Sequence, residues 1–284
     1  MASKTTPKER ILGILIIFLC IATALFDFID ITYSTDEVCN RLLNSLMPPF
    51  IGSIAVIMLV IRSGAKIFGK PQFLWVMIPC LIIAIDNFPF ASYFSGKMQP
   101  LVHTKPIHYV LFALNCIFVG LFEEVIFRGI AFSLLAGCFT KDRNGFLKTY
   151  VLSSLIFGAV HLLNVFFGAG IGPTLLQTGY TVLTGGLFAF AFIKTKNILF
   201  SALTHAVYNF AGLLFTAEQG LGVGSAIFYL PNVLVMATVS LLVGSFILYK
   251  VWTYPEDERR ELYENLGFGV DNSSKNENNP EKEV

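Results

Sequence analysis

Long apolar runs recur along the chain, divided by short segments rich in Lys, Arg, Asp, Pro and Gly. A helix rises 1.5 Å per residue, so about 20 apolar residues cross the hydrocarbon core of a bilayer. Eight stretches meet that length, near 11–29, 44–62, 73–94, 107–139, 149–168, 174–193, 197–216 and 227–252. The pattern predicts an all-α, polytopic membrane protein of about eight transmembrane helices. The first run follows the basic leader MASKTTPKER, as in a secretory signal, but no small-residue cleavage site follows and apolar character continues to Ile29. It reads as a retained span. The fourth is long enough to tilt or to project beyond the bilayer.

After Tyr254 the chain becomes polar and charged, which predicts a disordered cytoplasmic tail over 254–284. A short amphipathic turn at Glu261–Leu266 lying on the membrane surface is the lesser alternative. The chain thus divides into three N-terminal helices (1–106), four helices that carry most of the polar residues (107–216), a last helix (217–253) and the tail.

Composition agrees with a lipid solvent: 55% of the residues are hydrophobic and 14% charged. With 28 Phe, that apolar content exceeds what one soluble core of 284 residues can hide. Net charge is +1 with no basic patch, so nucleic acid is excluded as a partner. The five cysteines are scattered and show no C-x-x-C spacing, so neither a disulfide framework nor a cysteine metal site is implied. Loop charges orient the helices. Lys4, Lys8, Arg10, Arg62, Lys66, Lys70, Lys141, Arg143, Lys148, Lys194 and Lys196 fall on one side, and Arg41, Lys97 and Lys105 on the other. The basic side is expected in the cytoplasm, with both termini.

Ionisable groups inside spans cost roughly 2.5 to 3.5 kcal/mol each, so each is a functional candidate. Span four carries Glu123, Glu124 and Arg128, span five His161, and span seven His205 and Asn209. Positions four apart share a helix face, so Glu124 and Arg128 are expected to form an internal ion pair. Glu123 then points elsewhere with no intrahelical counter-ion. Phe157 shares a face with His161, and His205 with Asn209. At 1.5 Å per residue, Glu123, His161 and His205 lie roughly 24, 18 and 13 Å from the basic ends of their helices. Allowing for tilt, they are expected to meet in one intramembrane, water-holding cavity.

A partly desolvated carboxylate beside an imidazole is suited to taking a proton from water, and a second imidazole with an amide can bind an oxyanion. That set serves amide hydrolysis without a covalent intermediate. Ser153, Ser154, Ser201 and Thr204 lie near these helices without a base at a diagnostic spacing, and read as hydrogen-bonding to helix backbone or between helices. Glu123, His161 and His205 also form a two-His, one-Glu set able to hold zinc, although no H-E-x-x-H pair exists on one helix. Asp86 and Asn87 read as lining the cavity mouth or bracing the helix end near Pro89. Asp27 and Asp30 read as interfacial.

In order and spacing these residues resemble the CPBP intramembrane proteases, which include the prenyl-protein (CAAX) endopeptidases and bacterial Abi or bacteriocin-processing proteins. The motif Glu-Glu-x-x-x-Arg stands as Glu123, Glu124 and Arg128, Phe-x-x-x-His as Phe157 and His161, and His-x-x-x-Asn as His205 and Asn209. The resemblance covers roughly 107–216 and implies an intramembrane endopeptidase. By it, Glu123 and His161 activate water, His205 and Asn209 bind the oxyanion, and Glu124 and Arg128 support them. A metal-independent glutamate mechanism is favoured over zinc, and no other cofactor is implied. Expected partners are a membrane-associated, unprenylated peptide or protein substrate and the bilayer, in a bacterial plasma membrane. The rivals are a proton-coupled transporter, against which the confinement of polar motifs to 123–209 argues, and a non-enzymatic scaffold or immunity protein.

Overall fold

The computed structural model describes residues 30–101, 103–166, 168–216, 220–223 and 229–267. The expected first span, Asp27 and the end of the tail beyond residue 267 lie outside the described residues.

Helix α1 (Glu37–Ser63) opens on Asp36, whose carboxylate accepts the Val38 and Cys39 N–H groups. It closes on Gly64 at φ 83°, a left-handed turn that glycine makes without a Cβ clash. It starts at Glu37 rather than 44 because its polar first turns are bonded: Arg41 donates to Gly220 O, and Asn44 to Asp30 and Ile31 O. A 3-10 turn (Leu74–Val76) leads into α2 (Met77–Asp86), and Pro89 separates it from the short α3 (Phe90–Phe94). The expected third span, 73–94, is therefore broken.

Helix α4 (Pro106–Glu124) continues through a π-helical segment, Val125–Ala131, into α5 (Phe132–Cys138). Then come α6 (Arg143–Val160) with a 3-10 turn at His161–Val165, α7 (Ile171–Thr195), α8 (Ile198–Leu213) and α9 (Leu230–Trp252). The sheet content among the described residues is one ladder, β1 (Gln99–Pro100) antiparallel to β2 (Gly222–Val223). The protein is an all-α polytopic membrane protein. Among the described residues, five helices are long and apolar enough to cross a membrane: Glu37–Arg62, Pro106–Cys138, Arg143–Phe166, Ile171–Thr195 and Leu230–Trp252. Large apolar side chains on their outer faces, such as Met58, Leu183, Leu241 and Leu242, are more than half exposed and meet lipid.

Leu74–Asp86 and Ile198–Leu213 are shorter, about 20 and 24 Å long against a hydrocarbon core of about 30 Å. They start at one level, where Gln72 N–H donates to Thr195 O and Phe68 pairs with Asn197. Both therefore stop short at the opposite end. The β1–β2 ladder and a cluster of Phe88, Tyr93 and Phe215 lie beyond them, with Tyr93 stacked on Phe215 at 5.4 Å between ring centroids.

Helix α4 packs against α1 and α8, and α6 against α7. Gly120 permits the close approach of α4 to α8: a Cβ there would lie 2.8 Å from Ala202 O and 3.1 Å from Ala206 N. Small residues at such crossings let helix backbones approach in lipid.

The expectation of disorder from 254 onward is corrected for the described residues. Glu256–Asn265 form α10, docked across the basic end of the bundle. Lys194 pairs with Glu258 at 2.8 Å, Lys196 pairs with Glu261, and Gln72 donates to Glu261 at 2.7 Å. Arg259 reaches Lys141 O, Lys66 N–H donates to Asn265 O, and Leu262 and Tyr263 are buried. Charge composition hid an amphipathic stripe, since Arg259, Leu262, Tyr263 and Leu266 follow the i, i+3, i+4, i+7 spacing of one helix face.

The Lys196 ammonium, with Gln72, holds the Glu261 carboxyl below its usual range. A depressed carboxyl stabilises the docked state above its ordinary value of about 4.3, and that contribution is lost as pH falls through its lowered value. Hydrogen exchange of 256–265 in detergent is expected to be slow at neutral pH and to accelerate below about pH 4. Glu261→Gln is expected to exchange fast already at neutral pH. Equal protection of both proteins across that range contradicts the ion-pair account of docking.

Candidate active site

The site forms where α4, α6, α7 and α8 meet. Glu124 and Arg128 are fully buried, and the expected intrahelical pair is present, with Arg128 Nη1 donating to Glu124 Oε1 at 2.7 Å. Arg128 Nη2 donates to Gly185 O on α7 at 2.7 Å, while its guanidinium lies 4.4 Å from the Phe157 ring centroid. A buried guanidinium is tolerable when a carboxylate, a carbonyl and an aromatic face replace water around it. Its Nε nonetheless has no hydrogen-bond partner among the described residues.

Glu124 does more than neutralise Arg128. Its Oε1 lies 3.0 Å from His205 Nδ1, and its Oε2 accepts from Ser201 Oγ at 2.5 Å. Ser201 has a second acceptor in Phe188 O, 2.8 Å away, so it bonds between helices as expected but also touches the acid. The signal was present, because Ser201 lies four residues before His205 on the same helix face.

Glu123 does not point away from this cluster. Its Oε2 approaches His205 Nε2 at 3.9 Å, and its side chain is 27% exposed. Adjacent helix positions differ by about 100°, which lets two neighbouring carboxylates flank the two edges of one inserted imidazole. The His205 ring is clamped between Glu124 at Nδ1 and Glu123 near Nε2 and stacks on Phe188, with centroids 4.4 Å apart at 13°. Two carboxylates thus face one guanidinium and one imidazole.

His161 occupies the first position of the 3-10 turn rather than a helix interior. Its Nδ1 lies 2.8 Å from Phe157 O, which assigns the ring proton to Nδ1 and leaves the Nε2 lone pair free. Phe157 joins the parts: its ring centroid is 5.2 Å from that of His161 and 5.8 Å from that of His205. Asn209 lies one turn beyond His205, is half-buried, and its amide makes no hydrogen bond among the described residues. Of the other hydroxyls, Ser154 and Thr204 bond backbone carbonyls of their own helices, and Ser153 Oγ is buried without a partner among the described residues.

A tetrahedral zinc site places its ligand atoms about 2.0–2.1 Å from the metal, and so within about 3.5 Å of one another. Glu123, His161 and His205 do not gather within 4.8 Å in this arrangement, and so do not fit the ion as placed. The His/Cys/Asp/Glu group that does gather, among the described residues, is Asp36, Cys39 and His108, far along α4 from the glutamates. That group is already committed: His108 Nδ1 accepts the Lys105 N–H, and Nε2 faces Asp36, which also binds the Lys105 ammonium at 2.6 Å. A neutral imidazole so engaged retains no lone pair for a metal.

Bundled helices open to lipid, with a buried carboxylate and a buried imidazole at their crossing, define an integral membrane protein with a polar intramembrane site. The family model described as type II CAAX prenyl endopeptidase Rce1-like matches residues 105–211, from the start of α4 through most of α8. The match supports a CAAX-type intramembrane protease in general. No curated protein and no solved structure matches the chain.

Proposed function

We propose that the protein is an intramembrane endopeptidase that hydrolyses a peptide bond of a membrane-associated peptide or protein with water activated by Glu123 and His161. The observation that carries this reading is the clamp on His205, which leaves Glu123 half-open beside a ring already oriented by Glu124. Glu123 takes one proton of a water whose other hydrogen is accepted by His161 Nε2. The water oxygen bonds to the substrate carbonyl carbon, and the carbonyl electron pair moves onto its oxygen. Oriented by Glu124 at Nδ1, His205 turns Nε2 to the oxyanion and donates the first hydrogen bond to it. Asn209 donates the second hydrogen bond to the oxyanion. The C–N bond then breaks, and the leaving nitrogen takes the proton held by Glu123. Glu124, Arg128 and Phe157 position these groups and touch no reacting atom.

No step requires a metal, and none is routed through one. The site is proposed to lie in a bacterial plasma membrane with the basic end in the cytoplasm, acting on substrates without a prenyl group. The test is cleavage of membrane-associated peptides by the purified full chain in detergent, with and without a zinc chelator, using matched prenylated and unprenylated peptides. Chelator-insensitive cleavage is expected. Loss of cleavage with chelator, restored by zinc, overturns the metal-independent mechanism, and preference for the prenylated peptide overturns the substrate assignment.

A further inference from the structure

His161 is held differently from the other residues of the site. Glu123 lies inside α4, and His205 and Asn209 lie inside α8, whereas His161 opens the 3-10 turn His161–Val165, in which no residue is buried. Leu162, Leu163 and Val165 are exposed. The bond between His161 Nδ1 and Phe157 O fixes the ring relative to α6 alone. Lipid supplies no hydrophobic force that would press an exposed turn against its neighbours, so polar bonds decide where it sits.

One such bond is present. Asn164 Nδ2 donates to Gln177 Oε1 on α7 at 2.9 Å, and among the described residues it is the only side-chain hydrogen bond from the turn to another helix. Both amides are half-buried and lie within the spans Arg143–Phe166 and Ile171–Thr195. Asn164 O also accepts the Ala169 N–H at 3.0 Å, so the same residue secures the chain that leads on to α7. A 3-10 helix has three residues per turn, and side chains three apart eclipse one another. Asn164 therefore stands over His161, and a bond that fixes the one fixes the direction of the other. The partner helix is also the frame for the rest of the site. Gln177, Gly185 and Phe188 fall at i, i+8 and i+11, on one side of α7. Gly185 O accepts from Arg128, and Phe188 stacks on His205.

We infer that Asn164 and Gln177 are positioning residues for His161: their amide pair registers the 3-10 turn against α7 and so keeps His161 Nε2 at the water shared with Glu123. The inference rests on the endopeptidase reading above. It adds two residues that touch no reacting atom and act only through the imidazole.

The test compares the wild type with Gln177→Leu, Asn164→Leu and the exchanged pair Asn164→Gln with Gln177→Asn, each as the full chain in detergent on one membrane-associated peptide. Each single variant is expected to lower kcat roughly 10- to 100-fold with KM almost unchanged, the cost of a catalytic group displaced by about 1 Å. The exchanged pair keeps both amides and their combined length, and should recover most of the loss. In a His161→Ala background, Gln177→Leu should cost nothing further, because its effect passes through that imidazole. A general loss of packing would lower both backgrounds alike. Unchanged kcat in the single variants, no recovery in the exchanged pair, or a loss that persists in the His161→Ala background overturns the assignment. Hydrogen exchange of the His161–Val165 and Ala169 amides reads the same bond without cleavage, and is expected to be faster in Gln177→Leu and restored in the exchanged pair. If the wild type cleaves nothing, the endopeptidase reading fails, whereas equal exchange in the wild type and Gln177→Leu overturns the hold of the pair on the turn.

Discussion

Glu123→Gln is expected to lower peptide cleavage by roughly 100- to 10,000-fold, the contribution of a positioned general base, while leaving the folded protein almost unchanged. An amide is isosteric with the carboxylate but cannot accept the proton of the attacking water. The fold tolerates the change because the Glu123 side chain is 27% exposed and its nearest charged contact is the 3.9 Å approach to His205. The neighbouring residue behaves differently. Glu124→Gln removes the counter-charge of a fully buried arginine and loosens His205, so both stability and rate should fall. Measuring kcat and thermal unfolding for the two variants side by side checks the distinction. Equal losses of stability in both would contradict the roles assigned to them.

Arg128→Met is expected to destabilise the protein by about 3–5 kcal/mol, because removing one partner of a buried pair strands the other. The guanidinium is the hydrogen-bond donor to Glu124 Oε1 and to Gly185 O, and it covers the Phe157 ring. Without it, a 0%-exposed carboxylate is left with Ser201 and His205 as its polar partners and loses its counter-charge. The double replacement Glu124→Gln with Arg128→Met should recover much of that loss, since a buried ion pair removed whole is often close to neutral. Activity should stay low, because His205 no longer has a carboxylate at Nδ1. Equilibrium unfolding in mixed micelles reads the stability, and a single variant as stable as wild type would contradict the account of the network.

Much of this architecture was legible in the chain because lipid imposes strict length and polarity rules. The spans that became α1, α4–α5, α6, α7 and α9 announced themselves by apolar length, and the Glu124–Arg128 pair by four-residue spacing. Other features lacked such a signal. Hydropathy cannot show that the helices ending at Asp86 and Leu213 stop short together, because the residues after each remain apolar and aromatic. A regular-helix rule put Glu123 and Glu124 on different faces and so hid that one imidazole takes both. The π-helical stretch Val125–Ala131 follows directly after them, and no residue type in it announces that geometry. Helix α10 was missed because charge content was weighed above the spacing of Arg259, Leu262, Tyr263 and Leu266. Its acidic residues answer lysines that composition counted only as topology signals.

The central claim is that side chains from α4 and from the 3-10 turn after α6 act on one water at one site. The most direct measurement is the cleavage rate of Glu123→Gln, His161→Ala and the double variant on a single peptide. Groups that act as a unit are strongly non-additive, so the double variant is expected to be no slower than the worse single one. Losses that multiply instead would mean that the two residues act independently, and that the proposed site is not one site.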